Sequence, residues 1–220
     1  FEISLNNYLL TLKQTVSTLN FQKGVSLLFG PLFLPFFGLY LIFRCCGNLV
    51  PFSEEGKNTL LLLIFICTAA FPLASMYLLY ATKVISALSF SKKYENSLIL
   101  LIFTLYHCML SYLFVQKVGL HMDITKVVLG LTAGLIFASI CNFFLRTSLY
   151  GLFVGELLGA YLVLQSLQTE LNLLFPFIFV LVAGGTLLSV RLSLSDRLFD
   201  TYFGLLVGSI ASGTTLFLLS

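Results

Sequence analysis

Residues 126–164, KVVLGLTAGLIFASICNFFLRTSLYGLFVGELLGAYLVL, form two long apolar runs that meet at Arg146. A bilayer core needs about 20 apolar residues of helix to cross it, so the runs read as spans at about 127–145 and 148–165. The break between them is so short that the two helices must form a tight antiparallel hairpin. Small residues return every four positions in both: Gly130, Gly134 and Ala138 in the first, Gly151, Gly155 and Gly159 in the second. Gly204, Gly208 and Ser212 repeat the pattern near the carboxyl end. Each set is a flat stripe on one helix face. Lipid tails give helices no hydrophobic reason to associate, so close backbone approach across such stripes supplies packing energy. The three striped helices are predicted to form a tight inner bundle.

The same criterion applied outward gives further spans at about 25–43, 58–80, 97–115, 172–190 and 201–219. The fold class is therefore all-α, a polytopic membrane bundle of six to seven spans, with residues 1–220 forming one transmembrane domain. Composition agrees: 59% of residues are apolar and 10% charged, which excludes a water-soluble globule. The net charge of +3 is dispersed, without the basic stripe that nucleic-acid binding requires. Membrane lipids and other membrane-protein subunits are the partners such a surface suits.

Residues 1–24 precede the first span. Leu5, Leu9, Leu12, Val16 and Leu19 share one helical face opposite Asn6, Asn7, Lys13 and Gln14, the pattern of an interfacial amphipathic helix or of one packed on a partner subunit. No signal-peptide pattern is visible there. Pro31, Pro35 and Pro72 are expected to bend their spans, whereas Pro176 falls harmlessly in a first turn. Cys45, Cys46, Cys67, Cys108 and Cys141 lack metal or redox spacing, and no cofactor motif is present. Free thiols, or lipid attachment at Cys45 and Cys46, suit them better.

With these spans, Lys13, Lys23, Lys83, Lys92, Lys93, Arg146, Arg191 and Arg197 fall on one side, and Arg44, Lys57, Lys117 and Lys126 on the other. The positive-inside rule makes the first group cytoplasmic, with the amino end inside and the carboxyl end outside. On that side the connections at 81–96, 146–147 and 191–200 can converge. Arg146, Ser148, Arg191 and Arg197 could then surround an anion, because guanidinium forks and helix amino-termini both suit phosphate. Ordinary interfacial cations are the plainer account of the same residues.

The order of GPLFLPFFG (30–38), RTSLYGLFVGELLG (146–159) and SVRLSLSDRLFDTYFGLLVG (189–208) resembles the type 2 phosphatidic acid phosphatase superfamily of membrane proteins over nearly the whole chain. That family carries Lys-x6-Arg-Pro, then Pro-Ser-Gly-His, then Ser-Arg-x5-His-x3-Asp ahead of its last span. Its short bacterial versions have Lys-x-Ser-x-His and an early Pro-Leu-x-x-Pro run. The resemblance implies that Arg146 and Ser148 contact phosphate and that Arg191 fills the arginine position of the third motif. It also implies residence in a bacterial inner membrane.

The catalytic positions depart from the pattern. Tyr150 stands where the general-acid histidine belongs. Asp196 and Asp200 keep the x3 spacing of the nucleophilic histidine and its aspartate, with one residue missing after Arg191; with that arginine in register, Arg197 takes the place instead. Lys83 through Glu95-Asn96 matches the first motif only loosely. His107 and His121 lie off the motifs. The family reaction runs through a phosphohistidine, so the expectation is a catalytically inactive relative, acting as a lipid-headgroup binder or an accessory subunit. An active lipid or polyprenyl phosphate phosphatase working through an aspartyl phosphate at Asp196 is the second reading. The third is a small transporter using Glu156, a carboxyl placed inside a span. His107, near mid-span with Tyr106 and Ser111, is expected to hydrogen-bond between helices.

Overall fold

The computed structural model describes residues 30, 32–45, 51–85, 93–119, 122–167, 173–194 and 197–220. Within these the chain is a helical membrane bundle without strands. We number its helices α1 (Leu34–Cys45), α2 (Glu54–Ala81), α3 (Lys93–Lys117), α4 (Asp123–Cys141), α5 (Leu149–Leu167), α6 (Leu174–Leu194) and α7 (Leu198–Leu219). The last six are long and apolar enough to cross a membrane. The expected amphipathic helix before the first span lies outside the described residues, as do Cys46, His121 and Asp196.

Several boundaries differ from the sequence reading, each for a local reason. The span expected at 25–43 is described as a helix only from Leu34: the chain turns at Gly30, whose carbonyl accepts from Phe33 and Leu34. Pro35 therefore falls in the first turn of α1 instead of bending it, since a first-turn residue needs no intrahelical donor. At 12 residues, α1 is shorter than a span. The Ser53-Glu54-Glu55-Gly56 segment is a helix start and not a loop turn. Ser53 Oγ accepts from Gly56 N at 3.2 Å, and both glutamates sit in the first turn of α2, where the helix dipole favours them.

Pro72 is accommodated by a π-turn at Ile66–Ala70, where the Phe71 amide reaches back to the Ile66 carbonyl. Register thus changes just before the proline ring would meet the preceding turn. At the other end of the molecule, α3 starts at Lys93, placing Glu95 and Asn96 in a helical turn. The fourth helix stops at Cys141 and not at 145, because Asn142 caps it and the chain turns through 142–145. Arg191 belongs to the last turn of α6. Cys45, Cys67, Cys108 and Cys141 are free thiols.

The central helix is α5: 72% of its span is buried inside the molecule, against 28% for α6. It packs most extensively on α7, and α7 next on α4. Glycine explains why. A Cβ added at Gly151, Gly155 or Gly159 would collide with the carbonyl oxygens of Thr201, Leu205 and Ser209. One added at Gly204 or Gly208 would collide with those of Ser148 and Leu152. The stripes therefore face each other, backbone against backbone. Gly130 meets the backbone of Ser212, whereas Gly134 makes room for the carboxyl group of Glu156.

Short polar side chains tie the remaining helices together. Ser111 and Thr132 approach to 2.6 Å, Thr104 and Ser139 to 2.9 Å, and Ser75 and Tyr106 to 2.8 Å. Tyr161 donates to the Gly38 carbonyl at 2.7 Å, fastening α1 to α5. Each such bond contributes on the order of 0.6 kcal/mol within a membrane. The side chain of His107 is not among these ties: its Nδ1 pairs with the Phe103 carbonyl of its own helix.

Gly155→Leu is predicted to lower unfolding stability by about 1–3 kcal/mol, the usual cost of overpacking. Gly185→Leu, at a glycine with open space beside it, should change stability by less than about 0.5 kcal/mol. Thermal unfolding in detergent compares the two, and equal midpoints would remove close backbone packing as the source of bundle stability.

Candidate anion site

The site is built on the connection from α4 to α5. Asn142, 1% exposed, receives the backbone amide of Thr147 at 2.9 Å and the side-chain amide of Asn96 at 3.2 Å through its Oδ1. Its Nδ2 donates to Ser97 Oγ at 2.7 Å. Asn96 Nδ2 also donates to the Thr147 carbonyl at 2.9 Å. Both backbone groups of Thr147 are thus taken by buried amide side chains, and the connection is clamped to the first turn of α3. The residues flanking Thr147 are Arg146 and Ser148, so the clamp fixes where these two stand.

Ser148 occupies the capping position of α5. Its Oγ accepts from Gly151 N at 3.5 Å, and its own amide donates to the Asp200 carbonyl at 3.1 Å. The starts of α5 and α7 are therefore joined. Across this joint Arg146 Nε lies 3.6 Å from the Asp200 carboxylate, in side chains 22% and 10% exposed. Asp200 stands in the first turn of α7, where the helix dipole also stabilises its charge.

Asn96, Arg146, Ser148, Tyr150, Arg197 and Asp200 line one narrow cleft with a free volume of about 10 Å³, part of it open to the outside. Arg197 precedes α7 in an extended conformation, φ −81° and ψ 138°, and is exposed. α7 begins at Leu198, and Asp196, whose pairing with Asp200 on one helical face was expected, lies outside the described residues. Arg191, 8% exposed, stands behind the cleft with its guanidinium carbon 4.4 Å from the centre of the Tyr150 ring. This distance suits a cation–π contact. The structure thus gathers Arg146, Ser148, Tyr150, Arg197 and Asp200 directly, and Arg191 through Tyr150.

Two guanidinium groups and one carboxylate line the cleft, leaving an excess of one positive charge among its described residues. Such a site attracts anions, but an anion reaching Arg146 must compete with Asp200. Asn96 and Asn142 hold the whole arrangement, yet neither was singled out as a site residue from sequence. The available signal was an amide directly after an apolar run and before a connection too short to satisfy its own backbone groups.

Away from the cleft, Glu156 is fully buried on α5, and neither of its carboxyl oxygens has a hydrogen-bond partner among the described residues. Its backbone carbonyl accepts from Ser212 Oγ at 2.8 Å. His107, 1% exposed, leaves Nε2 without a partner among the described residues and lies 5.9 Å from the Phe153 ring, centre to centre. Among the described residues no group of three His, Cys, Asp or Glu side chains could hold a metal ion. No family model matches the chain, and neither does any curated protein or solved structure.

Asn142→Ala removes two donors' acceptor and leaves the buried Thr147 amide unpaired, so it is predicted to cost about 1–3 kcal/mol. Unfolding midpoints of the wild type and the variant measure this. An unchanged midpoint would show that the connection is held some other way.

Proposed function

We propose that this membrane protein is a relative of the phosphatidic acid phosphatases that binds an anionic lipid headgroup without hydrolysing it. The observation that carries this reading is the convergence of Arg146, Ser148 and Arg197 on one cleft at the end of the bundle. Guanidinium groups bind phosphate oxygens through charge-assisted hydrogen bonds, and the start of α5 adds the positive end of its dipole. Tyr150 occupies the position where the resemblance calls for a general acid, and a phenol is a poor proton donor to a leaving oxygen near neutral pH. His107 lies within α3, away from the cleft-lining residues. Binding therefore fits the residues better than turnover. A bacterial inner membrane is the setting that the resemblance suggests.

Asp200 shapes the expected affinity. Its carboxylate already neutralises Arg146, so a headgroup gains the arginine only by displacing it. Loss of a charge-assisted hydrogen bond is worth roughly 1.5–3 kcal/mol, or about tenfold or more in affinity. Arg146→Ala/Arg197→Ala should accordingly retain phosphatidic acid about tenfold less well than wild type in native mass spectrometry. Asp200→Asn should retain it better. Equal retention by all three proteins would end the headgroup reading.

Purified protein is also predicted to release no phosphate from phosphatidic acid or a polyprenyl diphosphate. Release that disappears in Asp196→Asn would establish aspartyl chemistry in place of simple binding.

A further inference from the structure

The cleft is too narrow to enclose a phosphate: its free space of about 10 Å³ holds about one water. An anion therefore meets the site first at its mouth, where Arg197 is exposed, and the surroundings of the mouth decide what arrives there. Bulky apolar side chains flank both cleft arginines. Phe143, Phe144 and Leu145 directly precede Arg146, and the first two are 77% and 81% exposed. Leu198, Phe199 and Tyr202 follow Arg197 in the first turns of α7 and are exposed as well. The Phe199 ring stacks on Phe203 at 6.0 Å, which fixes it in place. So much apolar surface in one region is strongly favoured to leave water.

The backbone of the α4–α5 connection suits a place where water is scarce. The amides of Phe143, Phe144 and Leu145 donate to the Ile140 and Cys141 carbonyls in the last turn of α4. Those of Thr147 and Ser148 donate to Asn142 Oδ1 and to the Asp200 carbonyl. Irregular backbone is tolerated at membrane depth only when the protein itself satisfies such groups. Helix length agrees. α4 and α5 have 19 residues each, about 28 Å of helix against a hydrocarbon core of about 30 Å. A helix of that length reaching the opposite boundary of the core cannot also lift its cleft end clear of this one, and tilt only lowers it.

We infer that Phe143, Phe144, Leu145, Leu198, Phe199 and Tyr202 form a collar seated in the bilayer interface, so that the cleft opens into the headgroup layer and takes its anion from a lipid instead of from bulk water. The collar continues the outer surface of the spans, through Ile140 three residues before Phe143 on α4 and Leu206 four residues after Tyr202 on α7, both exposed. Aromatic rings at the ends of spans settle at headgroup level. The charge pattern suits that level, with guanidinium groups at the depth of lipid phosphates and apolar side chains beside them. A protein subunit covering the collar would close the mouth to every anion, whereas lipid brings its own phosphates to the arginines. The inference rests on the headgroup reading for the identity of the anion, while the seating of the collar is independent of it.

The chain contains no tryptophan, so Phe144→Trp and Phe199→Trp each introduce a single fluorescent reporter. In vesicles of phosphatidylcholine with phosphatidic acid, both reporters should lose emission to lipids brominated near the top of the acyl chain and keep it in aqueous iodide. Phe144→Ser/Phe199→Ser should retain phosphatidic acid about threefold less well than wild type and bind inorganic phosphate within about twofold of it. Quenching by iodide and not by brominated lipid would put the mouth in water and overturn the collar, while phosphatidic acid retained by the wild type would keep the headgroup reading. Protection from both quenchers would reveal a protein partner or a second copy on these residues and overturn the collar too. Unchanged retention by the serine variant would remove the collar from lipid capture. Lipid quenching as expected, with neither phosphatidic acid nor inorganic phosphate bound by the wild type, would overturn the headgroup reading and the source of the anion with it. Should the serine variant misfold, the two reporters decide alone.

Discussion

The backbone contact between α5 and α7 governs the rest of the molecule. In hydrocarbon two helices gain little by merely touching, so association depends on how many atoms they bring into van der Waals range. Gly151, Gly155, Gly159, Gly204 and Gly208 remove the side chains that would hold the two backbones apart. The carbonyl rows of each helix then lie directly against the glycines of the other. Once this contact forms, the starts of α5 and α7 are side by side, which is why Ser148 N reaches the Asp200 carbonyl. The pairing of Arg146 with the Asp200 carboxylate is a consequence of the same approach.

Polar groups complete what glycine packing begins. The connection between α4 and α5 would expose unsatisfied backbone groups in a buried place, and Asn96 and Asn142 take them up. Buried amides serve this purpose well because each carries both donors and an acceptor. The result is a rigid rim for the cleft, with Arg146 and Ser148 on either side of a fixed Thr147. Glu156 has a different relation to the bundle. Gly134 leaves a niche for its carboxyl group, and that group has no hydrogen-bond partner among the described residues, so its burial costs stability.

The headgroup proposal joins these two halves. A cleft with two guanidinium groups and one carboxylate is selective for anions only when the ligand outcompetes the internal partner. The Arg191–Tyr150 pair backs the cleft, a cation held against an aromatic face.

From sequence alone the membrane bundle, its short α4–α5 hairpin and its glycine stripes could be read, because twenty-residue apolar runs and four-residue spacing are local properties of a helix. The cationic residues of the site were also legible, since charge is conspicuous in so apolar a chain. Which stripe meets which was not: Gly134 shares the spacing of Gly130 yet faces the Glu156 side chain instead of a helix backbone, and spacing carries no information about the partner. Nor could sequence distinguish a loop arginine from one in a final helical turn, so Arg191 came to lie on Tyr150 only when α6 extended past 190. The amide clamp depended on tertiary structure in the same way. Asn96 and Asn142 are far apart in the chain, and their hydrogen bonds exist only after α3 and α4 have packed together, when the backbone groups they satisfy have already left water.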